Sequence, residues 1–208
     1  FPTRRSSDLY ILKINNEGGD NYDVLYNKEK YSSETKGDYD KTGNKTGIQI
    51  SKGILLGTDA RSMSSKITKG VLYTQDGQLT GKTVLNHAYE VKNDQESVSI
   101  MNFLDKNTDV EWSNTLMENK QGGNVNLIST SHEAKRISFG SYQINKYIRS
   151  GYQVLRSDHI HPGEGRVASG DTGDIGNAKN ILQHSPKAIF RILNKGIYYN
   201  YTNEIYRK

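Results

Sequence analysis

One stretch near the C-terminal end restricts the possible folds more than any other. Tyr152-Gln153-Val154-Leu155-Arg156 leads directly into Ser157-Asp158-His159-Ile160-His161-Pro162, then a glycine-rich loop, then apolar residues at Ile175, Ala178, Ile181 and Leu182. The first part predicts a strand, which Pro162 ends because proline lacks the N–H that a ladder needs. The last part recurs at helical spacing and predicts a helix that stops before Ser185-Pro186, since the residue before a proline avoids helical backbone. A strand passing through a loop into a helix belongs in a layered arrangement of helices on a sheet.

The neighbouring segments fit such a layout. Asn93 is followed three residues later by Glu96, a capping-box spacing, and Val98, Met101 and Leu104 then recur at helical spacing with Phe103 beside them. This predicts a helix over 94–106. Val110-Glu111-Trp112 should start a strand, and Val125 to Thr130 reads as another after the Gly122-Gly123 turn. Tyr142 to Arg149 fits a third strand or a short helix. Ala188 to Leu193, a turn at Asn194-Lys195-Gly196, and Ile197 to Tyr201 predict a terminal hairpin. The expected class is α/β (α+β), with one mixed central sheet flanked by helices.

The first part of the chain differs. Phe1 to Leu9 (FPTRRSSDL) lacks an initiating Met and resembles translated adapter sequence, so residues 1–9 are expected to be non-native and the native N-terminal part to be missing. Residues 10–86 are rich in Gly, Asn, Lys, Asp and Tyr, with short apolar runs at Tyr10 to Leu12, Ile48 to Ile50, Ile54 to Leu56 and Val71 to Tyr73. They read as a polar, hairpin-rich extension, with the main domain over 87–208. A hydrophobic fraction of 33% and a mean hydropathy of -0.78 are low for a chain packed throughout, which agrees with a peripheral segment.

Composition also excludes several functions. Without a cysteine there is no disulfide framework, no thiol nucleophile and no Cys-type zinc site, so a nucleobase deaminase is ruled out. The net charge of +5 comes from Lys and Arg dispersed along the chain rather than gathered into an arm, so nucleic acid is not the expected partner. No apolar stretch is long enough to cross a membrane, and the chain reads as soluble.

His159 and His161 sit two apart at a strand end, so both imidazoles project from one face. Two such imidazoles can bind one Zn²⁺, and the loop beyond Pro162 returns to an aspartate at the start of the next helix. Two His and one carboxylate with an open fourth position is a catalytic zinc arrangement.

The pattern of an upstream Glu, then His-x-His-Pro, then an aspartate opening a helix resembles the JAMM motif of JAB/MPN metallopeptidases. Phe103 to Ser113 (FLDKNTDVEWS), GDIGNAKNI and KAIFRILNKGIYYNY resemble the JAB-like toxin domains at the C-termini of Rhs-type polymorphic toxins. The resemblance covers roughly Asn93 to Lys208, and more loosely the stretch around DNYDVLYNKEKY. It implies a JAB/MPN-like fold, a zinc cofactor and hydrolysis of an amide or isopeptide bond. Glu111 becomes the general base, and His159 and His161 become ligands. Thr172 occupies the place that strict family spacing gives the third ligand. Asp174 is preferred because it directly precedes Ile175 and the helix, with Asp171 the alternative. Asp171 is otherwise the expected helix cap, and Ser169 a candidate oxyanion donor. The implied partners are a protein substrate, with ubiquitin-like conjugates among the candidates, and a cognate immunity protein. The implied setting is a toxin domain secreted or delivered into a target cell as part of a larger protein.

Two other readings compete. Asp158 to Pro162 also resembles the start of an HNH-type nuclease motif, with Asn180 and His184 following and His159 as base. That reading gives Glu111 no role. The other is a non-catalytic JAB-like binding module. His87 and His184 read as surface residues, His132 as a loop residue, Trp112 as packing and Asp158 as a supporting strand-end group.

Overall fold

The computed structural model describes residues 12–15, 22–27, 47–52, 87–130, 138–163 and 165–206. Strands β1 (Leu12–Asn15), β2 (Tyr22–Asn27) and β3 (Ile48–Ser51) form an antiparallel sheet in the order β1-β2-β3. The expected strand at Ile48 to Ile50 lies in β3, and of the run at Tyr10 to Leu12, Leu12 opens β1 while Tyr10 and Ile11 lie outside the described residues. The runs at Ile54 to Leu56 and Val71 to Tyr73 lie outside the described residues. Leu25 and Ile50 of this sheet are buried in the same cluster as the first helix of the chain's described residues.

That helix, α1, spans Asp94–Asn107. The Asn93 side chain caps it by accepting from the Glu96 N–H at 3.1 Å, a bond of a kind that contributes about 1 kcal/mol. The Glu96 carboxylate reaches β3, where it accepts from the Ser51 N–H and, at 3.2 Å, from the Ser51 hydroxyl. The buried face carries Ser97, Ile100, Met101, Phe103 and Leu104. Val98 is only half-buried, which corrects the expected stripe. The buried Ser97 satisfies its hydroxyl by donating to the Asp94 carbonyl at 2.8 Å and accepting from Asn114 Nδ2 at 3.0 Å.

The main sheet has six strands in the order β4-β6-β5-β7-β8-β9. These are β4 (His87–Val91), β5 (Trp112–Glu118), β6 (Asn124–Thr130), β7 (Gln153–Ile160), β8 (Ile189–Asn194) and β9 (Ile197–Asn200). All neighbours are antiparallel except β7 and β8. Those two are joined through the glycine-rich loop and helix α3 (Asp174–Leu182), as a parallel pair requires a crossover. Between β6 and β7 lies helix α2 (Ser138–Arg149), which settles the Tyr142–Arg149 ambiguity in favour of a helix. A short helix α4 (Thr202–Ile205) follows β9. The β8–β9 turn places Lys195 at φ 53° and Gly196 at φ 78°, the left-handed pair that tight hairpins use.

Alternation along the strands gives the sheet two apolar faces. Met117, Val154, Phe190 and Ile192 pack with Ile144 of α2 and with Ile175, Ala178 and Ile181 of α3. Trp112, Ile128, Ile160 and Leu193 pack with α1. The result is a mixed sheet between helical layers, as the α/β (α+β) class requires.

Candidate metal centre

Strand β7 is central, with Ser113 of β5 opposite His159 on one side and Ile192 of β8 opposite it on the other. Residue 159 is therefore on the α3 face, and Asp158 is on the α1 face. His161 lies just past the strand end but keeps a ladder-like bond, its N–H donating to the Leu193 carbonyl at 3.2 Å. The buried Asn194 side chain fixes the turn that follows, donating to the carbonyls of His161 at 2.8 Å and Gly163 at 3.1 Å. The sequence reading placed Asn194 only in a turn. Its clamping role has no signal in the local pattern.

The imidazoles converge. His159 Nε2 lies 2.9 Å from His161 Nε2, with the rings tilted by 60°. Asp174, the first residue of α3, places Oδ1 3.3 Å from His159 Nε2 and Oδ2 3.3 Å from His161 Nε2. Among the described residues, these three side chains form the group able to hold a metal ion. They fit zinc in kind and in spacing. Zinc with ligands at roughly 2.0–2.1 Å in a tetrahedron has ligand–ligand edges of about 3.3 Å, close to the three separations found here.

The electrostatics agree with this grouping. Burial raises the Asp174 pKa, but bonds to both histidines and to the Ser169 backbone outweigh that and hold the carboxyl far below the ordinary range. Burial pushes His161 toward neutrality, yet the Asp174 bond, the charge of Glu111 and the Gly165 backbone leave its pKa raised. Gly165 approaches so closely that a Cβ there would sit 2.8 Å from His161 Nδ1. The buried Tyr201 ring meets His159 edge-on, with centroids 5.9 Å apart. The sequence reading placed this tyrosine only at the end of the terminal hairpin.

Glu111 immediately precedes β5 rather than lying within it, because the strand begins at Trp112. Its carbonyl accepts from Thr130 Oγ1 at 2.8 Å, which fixes its backbone. Continuing the β5–β7 register by two residues from Ser113 and His159 sets Glu111 across from His161, on the same face.

One sequence expectation changes here. Asp171 is not the helix cap: Gly173 holds the N-cap position. The Asp171 carboxylate pairs with Lys179 at 2.9 Å, while the hydroxyl that accepts from the Asp174 N–H is that of Ser169, at 2.8 Å. Ser169 Oγ also donates to Asp174 Oδ2 at 2.9 Å, so the expected oxyanion donor is engaged with the carboxylate. Asp158 is fully buried, with Arg191 donating to both its oxygens at 2.7 and 2.8 Å and Arg156 at 2.9 Å. For the nuclease arrangement, Asn180 and His184 are exposed on α3 and just beyond it. His132 lies outside the described residues, and His87 contributes its backbone to β4.

Residues 89–179 match the model of a family described as JAB-like toxin 1. That span runs from β4 into α3 and contains Glu111, His159, His161, Ser169 and Asp174. Fold and site agree with that match, and over this span the chain is similar to JAB-like toxin domains. No curated protein and no solved structure matches the chain. Among the described residues, no helix is long and apolar enough to cross a membrane.

Proposed function

We propose that this domain is a zinc-dependent hydrolase of protein amide or isopeptide bonds, acting as the toxic end of a larger delivered protein of Rhs type. The observation that carries the reading is the convergence of His159, His161 and Asp174, with their nitrogen and oxygen atoms 2.9 to 3.3 Å apart. Zinc held there would supply the Lewis acidity that polarises a scissile carbonyl and makes water acidic. Glu111, on the same face, takes a proton from the attacking water and passes it to the leaving amine. Tyr201 packs against the His159 ring and limits its rotation. The substrate is a protein, and ubiquitin-like conjugates are the first candidates.

Cleavage of isopeptide-linked and linear peptide substrates by zinc-loaded protein tests the reading. Turnover lost in Glu111→Gln, with zinc retained, is the expected result. Equal turnover in that variant contradicts it. A cognate immunity protein that covers the site is part of the proposal. Co-purification with the product of the adjacent gene supports that part, and absence of binding counts against it.

A further inference from the structure

Every polar backbone and side-chain group of Ser169 is directed at the start of α3. Its N–H donates to Asp174 Oδ2 at 2.8 Å and its hydroxyl to the same oxygen at 2.9 Å. The hydroxyl oxygen accepts from the Asp174 N–H at 2.8 Å, and the Ser169 carbonyl accepts from the Ile175 N–H at 3.0 Å. A serine hydroxyl has one proton, and here that proton is given to a carboxylate. The clasp needs an empty place beside it. A Cβ on Gly173 would collide with the Ser169 hydroxyl and lie 2.8 Å from its Cβ. Gly173 in turn donates to the Gly170 carbonyl at 2.8 Å, which closes the loop.

We propose that Ser169 is a positioning residue, which holds the Asp174 carboxylate turned toward His159 and His161, and that Gly173 is the space this clasp requires. The inference rests on reading those three residues as metal ligands. An unrestrained aspartate at a helix start can turn its carboxylate toward solvent. Two donors on Oδ2 fix both side-chain torsions, and partners that orient a ligand in this way strengthen metal affinity. This role differs from donating to the reacting carbonyl oxygen, because Ser169 acts through the ligand.

The test is zinc affinity, measured by competition with a chelating dye on wild type, Ser169→Ala, Ser169→Thr, Gly173→Ala and Asp174→Ala. The absorption spectrum of the cobalt-substituted forms reports the ligand geometry. Ser169→Ala is expected to bind zinc about tenfold more weakly, at the low end for such partners, because Ser169 is exposed and water can replace part of the bond. Its cobalt spectrum should change while the melting temperature of the metal-free protein hardly moves. Ser169→Thr, which keeps the hydroxyl, should restore affinity, and Gly173→Ala should weaken it. Wild-type affinity in Ser169→Ala, with binding lost in Asp174→Ala, overturns the positioning role and leaves the metal centre standing. No zinc bound by wild type overturns both.

Discussion

His159 and His161 turn their Nε2 atoms toward each other across 2.9 Å, with Asp174 spanning the pair at 3.3 Å from each. In the metal-free protein a proton must occupy part of this space, because two unprotonated ring nitrogens repel. Burial lowers the His161 pKa, but the bond to Asp174, the charges of Asp174 and Glu111 and the Gly165 backbone outweigh it and leave the pKa raised. A raised histidine pKa contributes stability that is fully present below the unfolded value near 6.5 and is lost as pH rises through the folded value. Metal-free protein should therefore lose thermal stability as pH climbs above that unfolded value. The stabilisation that zinc adds should grow over the same range, since zinc and protons compete for the same nitrogens. Melting curves with and without zinc, from pH 5.5 to 8.5, check this. A zinc-induced shift that is constant with pH contradicts it.

Glu111 tests catalysis apart from metal binding. Glu111→Gln keeps the size and the Thr130 bond to the main chain. It should lower turnover by about 10² to 10⁴-fold, the range for removing a general base. Zinc content should stay at the wild-type level, and the pH profile should lose its acidic limb. Loss of zinc together with activity would assign Glu111 to the metal instead.

Gly165 sits against the far edge of the His161 ring. A Cβ at 2.8 Å from Nδ1 is too close to be accommodated without moving the ring, and the bond that the ring donates to the Gly165 backbone would move with it. Gly165→Ala is predicted to weaken zinc binding by about tenfold. Gly163→Ala, where nothing lies within 4 Å, serves as the loop control, although its φ of 93° adds backbone strain. Isothermal titration of both variants discriminates ring displacement from general loop damage.

On the opposite face, Asp158 anchors Arg156 and Arg191, and Arg156 continues to Asp94 at 2.5 Å. Asp158→Ala leaves both guanidinium groups partly buried without their shared partner, and should cost roughly 3 kcal/mol in a denaturant titration. Asp94 has its pKa lowered, first by the hydrogen bond from Arg156. A lowered carboxyl contributes stability above its unfolded value near 3.8, and this is lost as pH falls through the folded value. Because Asp94 is partly exposed, the effect of Asp94→Asn should be small, and it should vanish in strong acid. An equal effect at pH 2 and pH 7 would show that the charge is not its source.

Much of this architecture is legible in the sequence because it rests on local pattern. The cap at Asn93, the apolar spacing of α3 and the Lys195-Gly196 turn each signal their element without help from the rest of the chain. Strands β2 and β4 give no comparable signal. In β4, Ala88 and Val91 are buried among polar neighbours, and the strand exists because β6 offers it a ladder. Tertiary contact likewise fills the buried face of α1 with Ser97, which no hydrophobic pattern marks. At the site, the spacing of His159 and His161 along a strand is readable. What Ser169, Gly165, Asn194 and Tyr201 do depends on how the loop and β8–β9 return to the strand end. That return also separates Asp174 from Asp171: Asp174 opens α3 and faces the histidines, while Asp171 sits in the exposed turn beside Lys179.

The most direct measurement is metal content by mass spectrometry on purified, metal-replete protein, for wild type and for His159→Ala, Asp171→Ala and Asp174→Ala. The account predicts about one zinc per chain in wild type and in Asp171→Ala, and none in His159→Ala or Asp174→Ala. Wild-type protein without zinc, or zinc kept when Asp174 is removed, would contradict it.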